Sequence, residues 1–229
     1  MSAYNILTAR GVTRLCHFTK FQSLTHIISS PDGILASSSI RQDVKNVIDT
    51  ARYDGELDYV CCSVQYPNSW FLNDAMQRNH DKIFKDWVVT YINLSILNSR
   101  RGKFSPCNAS RDFGRHIDED MDNIGSIFLT DVSTWKYSRS PNMLASCPTN
   151  GQAEILIKGN IPRDYIIGIA VGNEDVAERV YAMLKIYHLK RIPLYIAPDV
   201  LTKNWSQMIR DGRQPNESRY DWLEEEECL

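Results

Sequence analysis

Apolar residues recur along the chain with two different periods, and the switches between them lay out its elements. Period two, or a short unbroken apolar run, predicts strands at 13–19 (TRLCHFT), 59–67 (YVCCSVQYP, closed by Pro67), 86–92, 125–132 (GSIFLTDV), 152–159 (QAEILIKG), 164–172 (DYIIGIAVG) and 192–198 (IPLYIAP). Helical spacing appears in Phe21, Leu24, Ile27 and Ile28, which run into a Pro31-Asp32-Gly33 stop. It returns in Val44, Val47, Ile48 and Ala51 (41–53), in 69–79, and in Val176, Val180, Met183, Leu184 and Tyr187, the predicted buried stripe of a long helix. Residues 98–123 are polar and spaced by Gly and Ser, which predicts loop or irregular helix, and 133–150 is a long excursion ahead of the 152–159 strand. The tail from about 202 is polar, with Trp205 and Trp222 expected to pack back onto the body.

Several strands compatible with antiparallel pairing, separated by a few helices, predict an α+β fold on a curved or split sheet. There are no repeats or low-complexity linkers, so 1–229 is read as a single domain with a polar, acidic tail. No G-x-G-x-x-G follows a strand and there is no P-loop, which argues against a doubly wound dinucleotide fold.

Composition adds little until it is read locally. Apolar residues make up 43% and charged residues 24%, ordinary for a globular chain, and the net charge is −2. Yet residues 97–115 carry Arg100, Arg101, Lys103, Arg111 and Arg115 against the single acid Asp112, while the C-terminus (DWLEEEECL) is acidic. A local basic stretch is what a polyanionic partner would meet. The cysteines at 16, 61, 62, 107, 147 and 228 form no CxxC, and with five histidines they give no readable zinc site, so no metal is expected. Cys61 and Cys62 are neighbours on a strand and point to opposite faces. Neither a signal peptide nor a membrane-length apolar run is legible, which predicts a reduced, cytoplasmic protein with no membrane contact, read as a monomer.

Four stretches carry side chains suited to chemistry. His17 and Thr19 lie on one side of a strand end, although a lone histidine also serves as a cap or a core residue. Arg52 precedes an Asp-Gly turn, as a surface arginine also would. A strand of small residues leads into Tyr66, Asn68 and Trp70. In QAEILIKG, period two puts Gln152 and Glu154 on one face and Ala153 and Ile155 on the other.

Taken in order, His17-Phe18-Thr19, Arg52-Tyr53-Asp54-Gly55, the small-residue strand with Tyr66-Pro67-Asn68, and Pro148-Thr149-x-x-Gln152-Ala153-Glu154 resemble the DarT family over roughly 13–200. The family consists of ADP-ribosyltransferases that modify nucleobases in single-stranded DNA, usually encoded beside a macrodomain antitoxin. The resemblance implies an ADP-ribosyltransferase-like fold, NAD+ as co-substrate, single-stranded DNA as acceptor and a DarG-like antitoxin as partner. It makes Glu154 the catalytic carboxylate and His17 and Thr19 the hold on a ribose. Arg52 becomes the partner of the pyrophosphate, with Arg41 a rival for that role. Gln152 would position the acceptor base, and in the excursion Trp135 and Tyr137 would stack on bases while Lys136 and Arg139 meet phosphates. Within the family, the Cys61–Trp70 stretch (CCSVQYPNSW) and the Arg52–Gly55 turn look closer to the group associated with guanine than to the thymine group.

The implied chemistry suits these residue types. Breaking the nicotinamide–ribose bond builds oxocarbenium-like charge, which a fixed carboxylate in a water-poor cleft stabilises by ~3–4 kcal/mol. Two other functions remain compatible with the sequence. One keeps the chemistry and changes the acceptor to RNA or protein; the other is a non-catalytic module that binds NAD+ or nucleic acid.

Overall fold

Strand β1 (Arg14–Lys20) lies inside the sheet of the computed structural model, which describes residues 1–40, 52–78, 85–132, 137–189 and 191–221, without the side chain of Tyr137. With it run β2 (Tyr59–Val64), β3 (Trp87–Asn93), β4 (Gly102–Ser105), β5 (Asp131–Val132), β6 (Tyr137–Ser138), β7 (Glu154–Lys158), β8 (Ile166–Val171), β9 (Leu194–Ile196) and β10 (Ser218–Arg219). Among the described residues, eight of these form one sheet in the order β10-β9-β8-β3-β1-β2-β7-β4, and β5 and β6 pair separately. Neighbours are antiparallel except β8 and β9, which are parallel and joined through helix α4 (Glu174–Ile186), as a parallel pair requires a crossover.

Both faces of the sheet are covered, which is why β3 reads as a continuous apolar run rather than an alternation. On one face Leu15, Val88, Ile92, Ile155 and Ile157 pack against α2 (Phe21–Ser29) through Leu24 and Ile28, and against α4 through Val176, Val180 and Leu184. On the other, Phe18, Trp87, Val89 and Tyr91 meet Leu72 of α3 (Ser69–Arg78) and Trp205 and Ile209 of α5 (Asn204–Arg210). The mixed fold with flanking helices is the one the periodicities predict. The expected return of Trp205 to the body is seen, whereas Trp222 lies outside the described residues.

Three local expectations change. The predicted strand at 125–132 is mostly a 3-10 helix, Met121–Phe128, with only Asp131–Val132 extended. Its apolar residues Ile124, Ile127 and Phe128 sit three and four apart, which is helical spacing, and that stripe packs on helix α1 (Ala3–Ala9). Within the predicted loop 98–123, β4 adds an edge strand beside β7. Tyr187 is 58% exposed rather than buried. The reason is a Schellman end to α4. His188 turns left-handed (φ 50°), its N–H reaches Lys185 O and that of Leu189 reaches Leu184 O, so Leu189 takes the apolar place beyond Tyr187. The helix predicted over 41–53 falls almost wholly outside the described residues.

Candidate active site

Strands β1 and β2 part early. They pair only at Leu15↔Val64 and Cys16↔Ser63, while β1 keeps its partnership with β3 over all seven residues. From His17 onward β2 leaves the ladder, and a cleft of about 810 Å³ opens at the seam, within the range of small-molecule sites. This parting is the split the fold class calls for. A ladder that opens leaves main-chain groups without their strand partner, and His17 answers one of them: its Nδ1 lies 3.1 Å from Cys61 O. Since a carbonyl only accepts, Nδ1 carries the proton and Nε2 is left as an acceptor. Burial lowers the pKa of His17, so the ring is neutral. Thr90 fixes the same residue from the other side, its hydroxyl donating to His17 O at 2.9 Å. His17 and Thr19, which their spacing puts on one side of the strand, both line the cleft.

Glu154 heads β7 between Ser63 of β2 and Ser105 of β4, in register with both. It is 7% exposed and lines the cleft. Burial raises its pKa to about 7, and the charge of Asp54 pushes the same way. Opposing them are the Ala109 N–H, which donates to Oε2 at 2.7 Å, the nearby Asn68 amide and Arg52. Asn68 itself is fully buried, and its Nδ2 lacks a full hydrogen bond. The carboxylate is thus held by a single main-chain donor in a setting that resists its charge.

Gln152 does not share a strand face with Glu154. Buried Asn150 turns the chain first: its side chain accepts from Gln152 N (3.0 Å) and its carbonyl from Ala153 N (3.0 Å). Period two begins only at Glu154, so the alternation read from QAEILIKG starts two residues too early. Gln152 is half-buried and is not among the residues lining the cleft.

Arg52 does line the cleft, in left-handed backbone (φ 37°). Its Nε donates to Asp54 Oδ1 (3.0 Å), Nη1 to Ser37 Oγ (2.9 Å) and Tyr59 O (3.3 Å), and Nη2 to Glu56 O. The guanidinium therefore knits the Arg52–Gly55 turn to β2 while facing the cavity. Asp54, read from the sequence only as part of a turn, is buried and also lines the cleft, where the thiol of Cys61 points to its Oδ2 at 3.6 Å.

The excursion before β7 is anchored rather than free. Arg139 donates through Nη1 to Cys147 O (2.8 Å) and through Nη2 to Leu144 O, and Thr149 bonds Leu129 O through its hydroxyl (2.6 Å). Arg139 thus orders the loop from within and is absent from the cleft lining. Arg41, Trp135 and Lys136, and the side chain of Tyr137, lie outside the described residues. The sequence missed Ala109, whose contribution is a main-chain amide with no side-chain signature. It also missed Asn108 and Ser110, which line the cleft from a loop read only as a basic track.

The model of the family described as "ssDNA thymidine ADP-ribosyltransferase, DarT" matches residues 16–203. The chain belongs to the DarT family. By family it is an enzyme, an ADP-ribosyltransferase that acts on single-stranded DNA. The fold agrees with solved structures of DarT proteins. Thermus sp. 2.9 DarT in complex with NAD+ superposes with a TM-score of 0.58 at 18% identity, covering 82% of this chain and 96% of that one. The same protein in complex with ADP-ribosylated ssDNA gives 0.60 at 16%, covering 83% and 96%. Thermosipho africanus DarTG in complex with ADP-ribose gives 0.56 at 16%, covering 82% of this chain and 51% of that one. At such identities the likeness is one of fold. Comparison with curated proteins gives no significant match.

Proposed function

We propose that the β1/β2 cleft binds NAD+ and that Glu154 drives transfer of its ADP-ribose to a nucleobase of single-stranded DNA. The observation that carries this reading is a buried carboxylate, poised near neutrality, lining a cleft in a DarT chain. Support for NAD+ comes from the Thermus DarT complex and from the lining itself. Neutral His17 offers an acceptor to a ribose hydroxyl, Thr19 lies two residues on, and Arg52 brings positive charge toward the diphosphate. In the reaction the ribose–nicotinamide C–N bond breaks, nicotinamide leaves with the electron pair, and a base nitrogen bonds to the ribose carbon. Ionised Glu154 stabilises the positive ribose and takes the proton from the attacking nitrogen.

Family likeness supports the finer roles that we assign. The 133–150 loop addresses the acceptor, and the protein acts as a toxin restrained by a macrodomain antitoxin, in keeping with the DarTG structure of Thermosipho africanus. The likeness of 61–70 and 52–55 to the guanine group favours guanine as acceptor. The family description favours thymine as the second reading. Incubation with NAD+ and single-stranded oligonucleotides lacking one base at a time, read by mass, tests the whole proposal. An added ADP-ribose that disappears only without guanine supports the first base, and one that disappears only without thymine supports the second. Transfer to RNA or protein with none to DNA would remove the acceptor assignment altogether.

A further inference from the structure

The loop that gives its Ala109 amide to Glu154 continues into a second construction. In the turn Arg111–Gly114, two successive non-glycine residues have left-handed backbone, Asp112 at φ 48° and Phe113 at φ 58°. Side chains rarely tolerate this, and it persists only where the surroundings enforce it. Two contacts help enforce it. Gly114 (φ 78°) passes so close to the Arg52–Gly55 turn that a Cβ there would lie 2.9 Å from Asp54 O. The Asp112 carboxylate is tied to His116 Nε2 at 2.7 Å. The result is to hold the Phe113 ring out in solvent, 75% exposed, perpendicular to Tyr53, which is 59% exposed, with centroids 5.7 Å apart.

Two aromatic rings locked together in water, rather than folded into the core, point to a partner. Their place says which. Tyr53 sits between Arg52 and Asp54, and Phe113 follows Ser110 by three residues, all three neighbours lining the cleft. Phe113 is four positions on from Ala109, at most about 14 Å of chain. Arg111 and Arg115, two residues to either side of Phe113, are exposed, while the acids at 118–122 follow them in the chain. An aromatic face amid cations beside a transfer site has the makings of a single-strand track.

We propose that Phe113 and Tyr53 form a stacking platform for a base one or two nucleotides from the acceptor in single-stranded DNA. The proposal rests on the DNA reading given under Proposed function. It is tested by measuring the KM for a modifiable oligonucleotide at saturating NAD+, alongside NAD+ hydrolysis without DNA. The proteins compared are the wild type, Phe113→Ala, Tyr53→Ala and Phe113→Trp. Loss of one stacked base predicts a KM about 5- to 150-fold higher for Phe113→Ala, the equivalent of ~1–3 kcal/mol. Phe113→Trp should restore it, and hydrolysis without DNA should stay within about twofold. Replacing the neighbouring nucleotide by an abasic one should weaken the wild type alike and cost Phe113→Ala nothing more. An unchanged KM in Phe113→Ala, an equal loss of hydrolysis, or an abasic penalty undiminished in that variant overturns the platform. A wild type that transfers nothing to any oligonucleotide overturns the DNA reading itself, a result distinct from active wild type that ignores Phe113.

Discussion

Glu217 and Glu154 are both carboxylates shielded by the body of the protein, yet they are held in opposite ways. Glu217 accepts from Arg14 through both oxygens, Oε2 at 2.9 Å from Nη1 and Oε1 from Nη2, and from the Tyr91 hydroxyl at 3.1 Å. The Arg14 guanidinium lies 3.7 Å from the centroid of the Tyr91 ring. Charge meets charge, and the segment ahead of β10 is pinned to β1. Glu154 has one main-chain hydrogen bond, a neighbouring negative charge at Asp54, and Arg52 only as its weakest source of relief. The first arrangement completes itself when the chain folds. The second is completed by a positive charge that arrives with substrate, which is what a buried, displaced carboxylate in a cleft is suited to.

The largest effect should come from breaking the completed pair. Glu217→Ala leaves Arg14 buried without its counter-ion, a loss of about 3–5 kcal/mol. In a domain of this size that lowers Tm by roughly 6–20 °C, read by thermal unfolding. The double variant Arg14→Met/Glu217→Leu should recover most of the loss, because no charge is then stranded. Activity per folded molecule should survive both. Next comes Glu154→Gln, where the fold stays and transfer falls by about 10²–10³, measured as ADP-ribose incorporated into an oligonucleotide. If Glu154→Gln kept its activity while Glu217→Ala lost it at temperatures where the protein is folded, the contrast between the two carboxylates would be reversed.

Much of this contrast was legible from residues, but only in part from their spacing. The strand at Glu154–Lys158, the shared side of His17 and Thr19, and the strand character of the apolar run at 86–92 follow from local apolar periods, which the sheet leaves intact. Gln152 was misplaced because an Asx turn at Asn150 overrides alternation, and turns are set by single side-chain bonds that a period does not see. The 121–128 segment was misread because a short apolar run fits a strand or a helix equally, and only packing on α1 decides. The contributions of Ala109 and Asp54 depend on contacts across 45 and 100 residues of chain, from Ala109 and Asp54 to Glu154, which no local pattern encodes. Glu217 gave no signal at all, being one acid in a polar tail.

The same Glu154→Gln variant should be more stable than the wild type at high pH. Folded Glu154 holds its proton up to about pH 7, whereas the ordinary carboxyl releases it near 4.5. Between these values the folded chain binds more protons than the unfolded one, so its stability falls as pH rises. A displacement of this size corresponds to about 3 kcal/mol by pH 8, and to nothing below pH 4. Glutamine keeps an acceptor for Ala109 and never ionises. Denaturation curves should therefore diverge between pH 5 and 7 and run parallel above. A Glu154→Gln protein with no gain at pH 8 would mean that the open cleft already hydrates the carboxylate.

The smallest and most discriminating effect belongs to Asp54. Asn at this position keeps a side-chain carbonyl to accept from Arg52 Nε and Glu56 N, as Asp54 Oδ1 does now, but removes the negative charge that raises the pKa of Glu154. NAD+ hydrolysis that needs ionised Glu154 rises with pH through a midpoint near 7 in the wild type. In Asp54→Asn that midpoint should move toward acid by about one pH unit or less, because a like charge has been taken away. Were Asp54 only a brace for the turn, the rate would drop at every pH with the midpoint unmoved. A midpoint moving toward alkali would show that Asp54 acts chiefly through Arg52, whose guanidinium would have swung away from Glu154 and left the carboxylate with less to favour its charge than before.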